Sequence, residues 1–134
     1  MSTFEKFAEG KLYLASASAN EGPQPVDLKS IPWSPHAKFD GVALKHLITA
    51  KDTQGTFSYH LVRIAPDKQI GLHIHDKQLE THEVIAGNGL GKRADQEIPY
   101  NAGVLSVFPA GVEHKVTAGH DGLYLFAKFI PALC

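Results

Sequence analysis

Three histidines lie within ten residues in the stretch GLHIHDKQLETHEVIAG, Gly71 to Gly87, and their spacing suggests metal chemistry. On a strand, the single residue between His73 and His75 sends both imidazoles to one face, with Leu72 and Ile74 on the other. A helix would point the two rings nearly opposite ways. A turn over Asp76 to Leu79 and a new strand from Glu80 would form a hairpin whose carboxylate joins the imidazoles. Far along the chain, the run Pro109-Ala110-Gly111-Val112-Glu113-His114 sets a further histidine just after a tight turn, at a strand start. Neutral imidazoles and a carboxylate, without thiolate, suit one divalent transition metal: Fe, Mn, Ni, Co or Zn. Four protein ligands would leave one or two positions for water or substrate. The candidate ligands are His73, His75, Glu80 and His114, with Glu83 or Gln78 as alternatives for the oxygen donor.

His82 follows Glu80 by two residues, so alternation turns it to the same interior, about 6.6–7 Å further along the strand. It is a candidate general base, a donor that orients a ligand, an alternative ligand, or a packed core histidine. In SYHLVRI, one face carries Ser58, His60, Val62 and Ile64, and the other Tyr59, Leu61 and Arg63. The pattern does not say which face is interior. One choice places His60 and Ser58 at the pocket. The other places Tyr59 and Arg63 there, Arg63 as a clamp for a carboxylate or enolate. Simple packing accounts for either face. His36, His46 and His120 stand in or near loops and polar stretches, where a solvated histidine is the default.

The elements that must hold these groups read as short strands after Phe39: Val42 to Ile48, Thr56 to Ile64, Ile70 to His75, Glu80 to Ala86, Leu90 to Arg93, Leu105 to Phe108, His114 to Ala118 and Leu123 to Phe129. Turn chemistry separates them, at Gly87-Asn88-Gly89, Asn101-Ala102-Gly103, Pro109-Ala110-Gly111 and Gly119 to Gly122. Such spacing predicts an all-β sandwich or barrel. Before it, Phe4, Phe7 and Ala8 share a helical face behind Ser2 or Thr3 as a cap, with Gly10 as a stop. Residues 16–35 carry four prolines and predict an arm wrapped over the surface, pinned by Trp33. The expected organisation is an N-terminal arm over residues 1–38 and a barrel over 39–134. The strand LYLFAKF is apolar on both faces, which predicts sheet-on-sheet association in a homodimer or cover by the arm.

The 134 residues suit a single domain, with 43% hydrophobic and 20% charged residues. Thirteen basic against fourteen acidic residues give a net charge of −1 and no basic run, which argues against nucleic acid or anionic lipid and for a small-molecule substrate. No segment has the length and apolarity of a membrane span, and no basic stretch followed by an apolar run opens the chain. The lone cysteine, Cys134, offers neither an intrachain disulfide nor a cysteine-based zinc site; its thiol reads as incidental. The expected setting is cytoplasmic.

Taken together, the two clusters resemble the motifs of small single-domain cupins, G(X)5HXH(X)3-4E(X)6G and G(X)5PXG(X)2H(X)3N. His73-Ile74-His75, Glu80 and Gly87 match the first, and Gly103, Pro109, Gly111 and His114 the second, with fifteen residues between Gly87 and Gly103. Asp67 stands where the first motif opens on glycine, and Ala118 where the second closes on asparagine; neither position is a ligand. The resemblance runs from about Phe57 to Phe129. It implies a double-stranded β-helix, the cupin jelly-roll barrel, holding one divalent metal through His73, His75, Glu80 and His114. Members of that family include dioxygenases, isomerases, epimerases, lyases, storage proteins and sensor domains. The leading expectation is a metal-dependent enzyme on a small oxygen-bearing metabolite, dioxygenase first and isomerase, epimerase or lyase next, with His82, Tyr59 and Arg63 as candidate catalytic residues. The alternative outside catalysis is a small-ligand binding or sensor cupin, which residues 1–40 do not favour, since they show no helix-turn-helix pattern.

Overall fold

The computed structural model describes residues 1–134. Two long antiparallel strands organise it, β7 (Leu79–Arg93) and β10 (His114–Ile130), paired side by side along most of their lengths. The second half of β10 also pairs with β5 (Ser58–Ile64), which continues through β4 (Val42–Ile48) to the short β3 (Ser34–Pro35). Its first half pairs with β6 (Gln69–His73). Likewise β7 takes β9 (Leu105–Phe108) beside its first half and β8 (Gln96–Asn101) beside its second. Two sheets thus share β7 and β10 and face each other across a common interior, giving the double-stranded β-helix.

Both long strands were expected as two shorter ones. Gly87 and Gly122 each take positive φ and let the strands bend without ending. At Gly87 the backbone also passes so close to the Gly122 carbonyl that a Cβ would collide with it, which only glycine permits. Strand β8 was not expected; it is an edge strand in which Pro99 lies opposite Leu90.

Alternation fills the interior. Ser58, His60, Val62 and Ile64 from β5 and Leu123, Leu125, Ala127 and Phe129 from β10 are all buried, as are Val84, Tyr100 and Val116. The opposite faces of β5 and β10 form a second apolar cluster in which Leu61 and Phe126 meet Ala8, Leu28 and Leu47. Residues Thr3–Ala8 form helix α1, capped by Ser2 and Glu5 in reciprocal hydrogen bonds. Phe4 lies 4.6 Å from Tyr124 and Phe7 meets Phe126 edge-on at 4.8 Å. The second apolar face of LYLFAKF is therefore covered within the chain, the alternative to the sheet-on-sheet dimer. The arm also contains a two-stranded hairpin, β1 (Lys11–Leu14) with β2 (Gln24–Asp27).

One buried lysine ties the arm down. Lys45, 3% exposed, donates from Nζ to the carbonyls of Ala8 at 2.6 Å and Leu28 at 2.7 Å, and stands over Trp33. Burial pushes its pKa down, opposed by Glu9 and Asp27. Lys45→Ala leaves both carbonyls without their donor, at a cost of about 1–3 kcal/mol. We expect a lower urea midpoint and faster proteolysis within residues 1–38; an arm as resistant as in the wild type would contradict this role.

Candidate metal centre

Three elements deliver the candidate ligands to one point. His73 ends β6 and lies directly opposite His114 at the start of β10, while Glu80 enters from β7 beside Phe108 of β9. One ligand atom each from His73, Glu80 and His114 lies within 4.8 Å of the others. Around Glu80 Oε1 stand the Nε2 atoms of His114 at 2.7 Å, His75 at 3.7 Å and His73 at 4.0 Å. His75 lies outside that set of three, and β6 stops at His73, two residues earlier than expected. Its backbone is held instead by the second motif's turn, where Gly111, at φ 82, donates its N–H to the His75 carbonyl at 2.9 Å.

The tautomers of two rings are fixed by their backs. His73 Nδ1–H donates to Gly71 O at 2.8 Å and His114 Nδ1–H to Val112 O at 2.9 Å. Both Nε2 lone pairs thus face Glu80, itself an acceptor. Two acceptors at 2.7 Å repel unless a cation, proton or metal, lies between them. The titration behaviour has the same origin. Burial would push His114 down, but the Glu80 carboxylate and the Val112 carbonyl outweigh it and raise its pKa. Burial would raise Glu80, yet His82 and His114 hold it far below the usual carboxylate range. Burial lowers His73 and His75, keeping them neutral and able to donate lone pairs. This donor set fits a divalent transition metal: the imidazoles of His73, His75 and His114 and one carboxylate, with His73, Glu80 and His114 held on three different strands. Phe108 stacks on His114 at 4.1 Å and 4° between planes, locking that ring.

His82 is buried behind the centre. Its Nε2 lies 2.9 Å from Glu80 Oε2 and its Nδ1 2.7 Å from Tyr100 Oη, which in turn meets Ser106 Oγ at 2.6 Å. Glu80 Oε2 accepts, so His82 Nε2–H donates to it; in the tautomer with its hydrogen there, Nδ1 accepts from Tyr100 Oη and Ser106 donates to the phenol oxygen. The chain orients Glu80 from behind. Of the residues holding it, Tyr100 and Ser106 were not foreseen: Tyr100 belongs to the unexpected β8, and Ser106 is opposite His82 in the β7–β9 pairing.

Tyr59 and Arg63 do not reach the cavity. The inward face of β5 is that of Ser58, His60 and Val62, so the other two side chains lie on the outer face, Tyr59 half-buried and Arg63 exposed. Tyr59 stacks on Phe126 at 4.8 Å, and Arg63 stands 4.2 Å from the Trp33 ring. Burial and the neighbouring Glu83 push the Tyr59 pKa up to about 12, a poor proton donor at neutral pH. His36, taken as solvated, instead lines the cavity mouth, its Nδ1 accepting from the N–H groups of Lys38 and Phe39. The cavity holds about 200 Å³, with His73, His75, Glu80 and His82 at its polar end. Leu44, Val62, Ile70, Leu125, Phe129 and Leu133 form much of the rest.

Comparison with known proteins agrees with this architecture. Residues 60–125 match the family model of the cupin domain. That stretch contains every candidate ligand, and with the double-stranded β-helix it places the chain in the cupin family. Among solved structures, a protein from Thermotoga maritima described as a predicted oxalate decarboxylase superposes with a TM-score of 0.70 at 20% identity, over 77% of this chain and 95% of that one. KdgF from Halomonas sp. gives 0.67 at 14%, over 77% and 90%. A sugar phosphate isomerase of the cupin superfamily from Silicibacter pomeroyi gives 0.68 at 23%, over 78% and 74%. These likenesses are of fold. Among curated proteins, none matches the sequence. No helix is long and apolar enough to cross a membrane.

Two outcomes follow from the geometry. Because His114 is raised and shares its proton with Glu80, a divalent ion must displace that proton. Calorimetry in buffers of different ionisation enthalpy should show a proton released on binding, with affinity rising as the pH rises through the His114 titration; pH-independent affinity would contradict it. Tyr100→Phe should keep the metal but weaken it about 10–100-fold by loosening His82 and Glu80, measured by competition with a chelating dye; unchanged affinity would count against the orienting chain.

Proposed function

We propose that this chain is a metal-dependent enzyme acting on a small, oxygen-bearing metabolite, with oxygen-dependent cleavage as the first reading. The observation that carries it is the convergence of His73 and His114 lone pairs with the Glu80 carboxylate at the polar end of a small apolar cavity. About 200 Å³ is less than the roughly 300–1,000 Å³ of drug-sized sites, which favours a compact substrate. When bound at His73, His75, Glu80 and His114, a divalent ion supplies Lewis acidity toward substrate oxygens and, if iron, a redox couple for dioxygen. The chain's own residues do the rest. Val62, Leu125 and Phe129 exclude water and seat an apolar tail. Lys38 at the mouth offers a positive charge to an acidic substrate. His82, held at both nitrogens, serves as a positioning residue for Glu80 rather than a mobile base.

A second reading is isomerase or lyase chemistry, favoured by His36. Burial lowers its pKa, ahead of repulsion from Lys38 and His75, so it stays neutral at the cavity mouth, where it could carry a proton to or from substrate.

The two readings separate in one experiment. Protein purified without chelator is reconstituted anaerobically with Fe(II) and screened for oxygen uptake over β-diketones, catechols and hydroxy acids. We expect uptake that His114→Ala abolishes and His36→Gln spares. Turnover without oxygen, lost in His36→Gln, would replace the first reading with the second. Binding of these ligands with no turnover would overturn both in favour of a binding cupin.

A further inference from the structure

A second group of donor atoms lies where β4, β5 and the segment 132–134 meet. His46 and His60 are register partners on β4 and β5, and their Nδ1 atoms face each other at 2.8 Å. Cys134 Sγ is 3.8 Å from His46 Nδ1, and one ligand atom from each of the three residues lies within 4.8 Å of the others. His60 is fully buried, with its Nε2 2.8 Å from Ser58 Oγ. Burial, then His46, pushes its pKa down to about 4 despite Glu80, so the ring is neutral.

The thiol does not sit on a loose tail. Ala132 N–H donates to Gly55 O at 3.1 Å, Leu133 N–H to Ser58 Oγ at 2.8 Å, and Ala50 N–H to Cys134 O at 2.6 Å. Three hydrogen bonds thus hold the sulfur beside two imidazole nitrogens. Cys134 is exposed and His46 half-buried, so an ion can enter from solvent. Tetrahedral zinc ligation, with Zn–N near 2.0–2.1 Å and Zn–S near 2.3 Å, needs N···N of about 3.3 Å and N···S of about 3.6 Å. The observed 2.8 and 3.8 Å lie about half an ångström or less from those values.

We propose that His46, His60 and Cys134 form a second, thiolate-containing site for Zn(II), with its fourth position open to water. Binding releases the thiol proton to solvent and shifts the hydrogen shared between the two Nδ1 atoms to Nε2 of the ring that carries it, so that both rings ligate through Nδ1 and His60 Nε2–H donates to Ser58 Oγ. Neither an oxidant nor a reductant is needed. A thiolate in the donor set selects zinc over the harder divalent ions that suit the all-N/O centre. Because Leu133 forms part of the cavity wall, the ion clamps segment 132–134 and with it one side of the substrate cavity. This inference does not depend on the reaction assigned to the cupin centre.

The test uses the full-length reduced protein with Co(II) as a spectroscopic probe for zinc. The wild type should bind two equivalents and develop a near-ultraviolet thiolate-to-cobalt charge-transfer band, displaced by zinc. Cys134→Ser should lose the band and one equivalent, while His114→Ala should retain the band. Zinc should also slow alkylation of Cys134 by iodoacetamide at least tenfold. A single equivalent in the wild type, a band that survives Cys134→Ser, or an alkylation rate indifferent to zinc would overturn the site.

Discussion

The interior of this barrel brings like-polarity acceptors together and leaves them needing a cation. His73 and His114 spend their Nδ1 hydrogens on the Gly71 and Val112 carbonyls, so both turn lone pairs toward Glu80. Glu80 is itself ionised and nearly buried. At 2.7 Å no water fits between His114 Nε2 and Glu80, and the carbonyls behind the rings prevent a change of tautomer. What relieves it is positive charge: a shared proton in the metal-free protein, a divalent ion in the loaded one. The His82–Tyr100–Ser106 chain extends the same constraint outward by fixing the carboxylate's second oxygen.

Around this point the fold separates two tasks along single strands. On β5 and β10 the inward residues build the cavity and the outward ones receive the arm, so each strand is apolar on both faces for different reasons. The arm is a structural lid on the outer wall, held through Lys45, Trp33 and the aromatic side chains of α1. The cavity takes its shape from the opposite face and from Leu133.

The convergence of His73, Glu80 and His114 was legible in the sequence because its information is local. Alternation fixes the side of His73 and His75, and proline and glycine mark the turn before His114. The other features depend on long-range partners. Period-two alternation in SYHLVRI is silent about direction, since Leu61 packs under the arm as tightly as Val62 packs in the cavity, so the choice between His60 and Tyr59 or Arg63 needed the opposing strands. Gly87-Asn88-Gly89 and Gly119 to Gly122 carry turn chemistry yet bend continuous strands, because pairing between β7 and β10 resumes on both sides. Tyr100 was hidden by Pro99 in a segment too polar to read as a strand, and His36 by its loop.

The most direct test of the central claim is anomalous diffraction at a metal absorption edge, on crystals of protein grown without chelator. The account predicts a peak about 2.0–2.2 Å from the Nε2 atoms of His73, His75 and His114 and from a Glu80 oxygen, with the His114–Glu80 contact opened to admit the ion. An intact His114–Glu80 hydrogen bond with no scatterer at that point, in protein saturated with divalent metal, would contradict it.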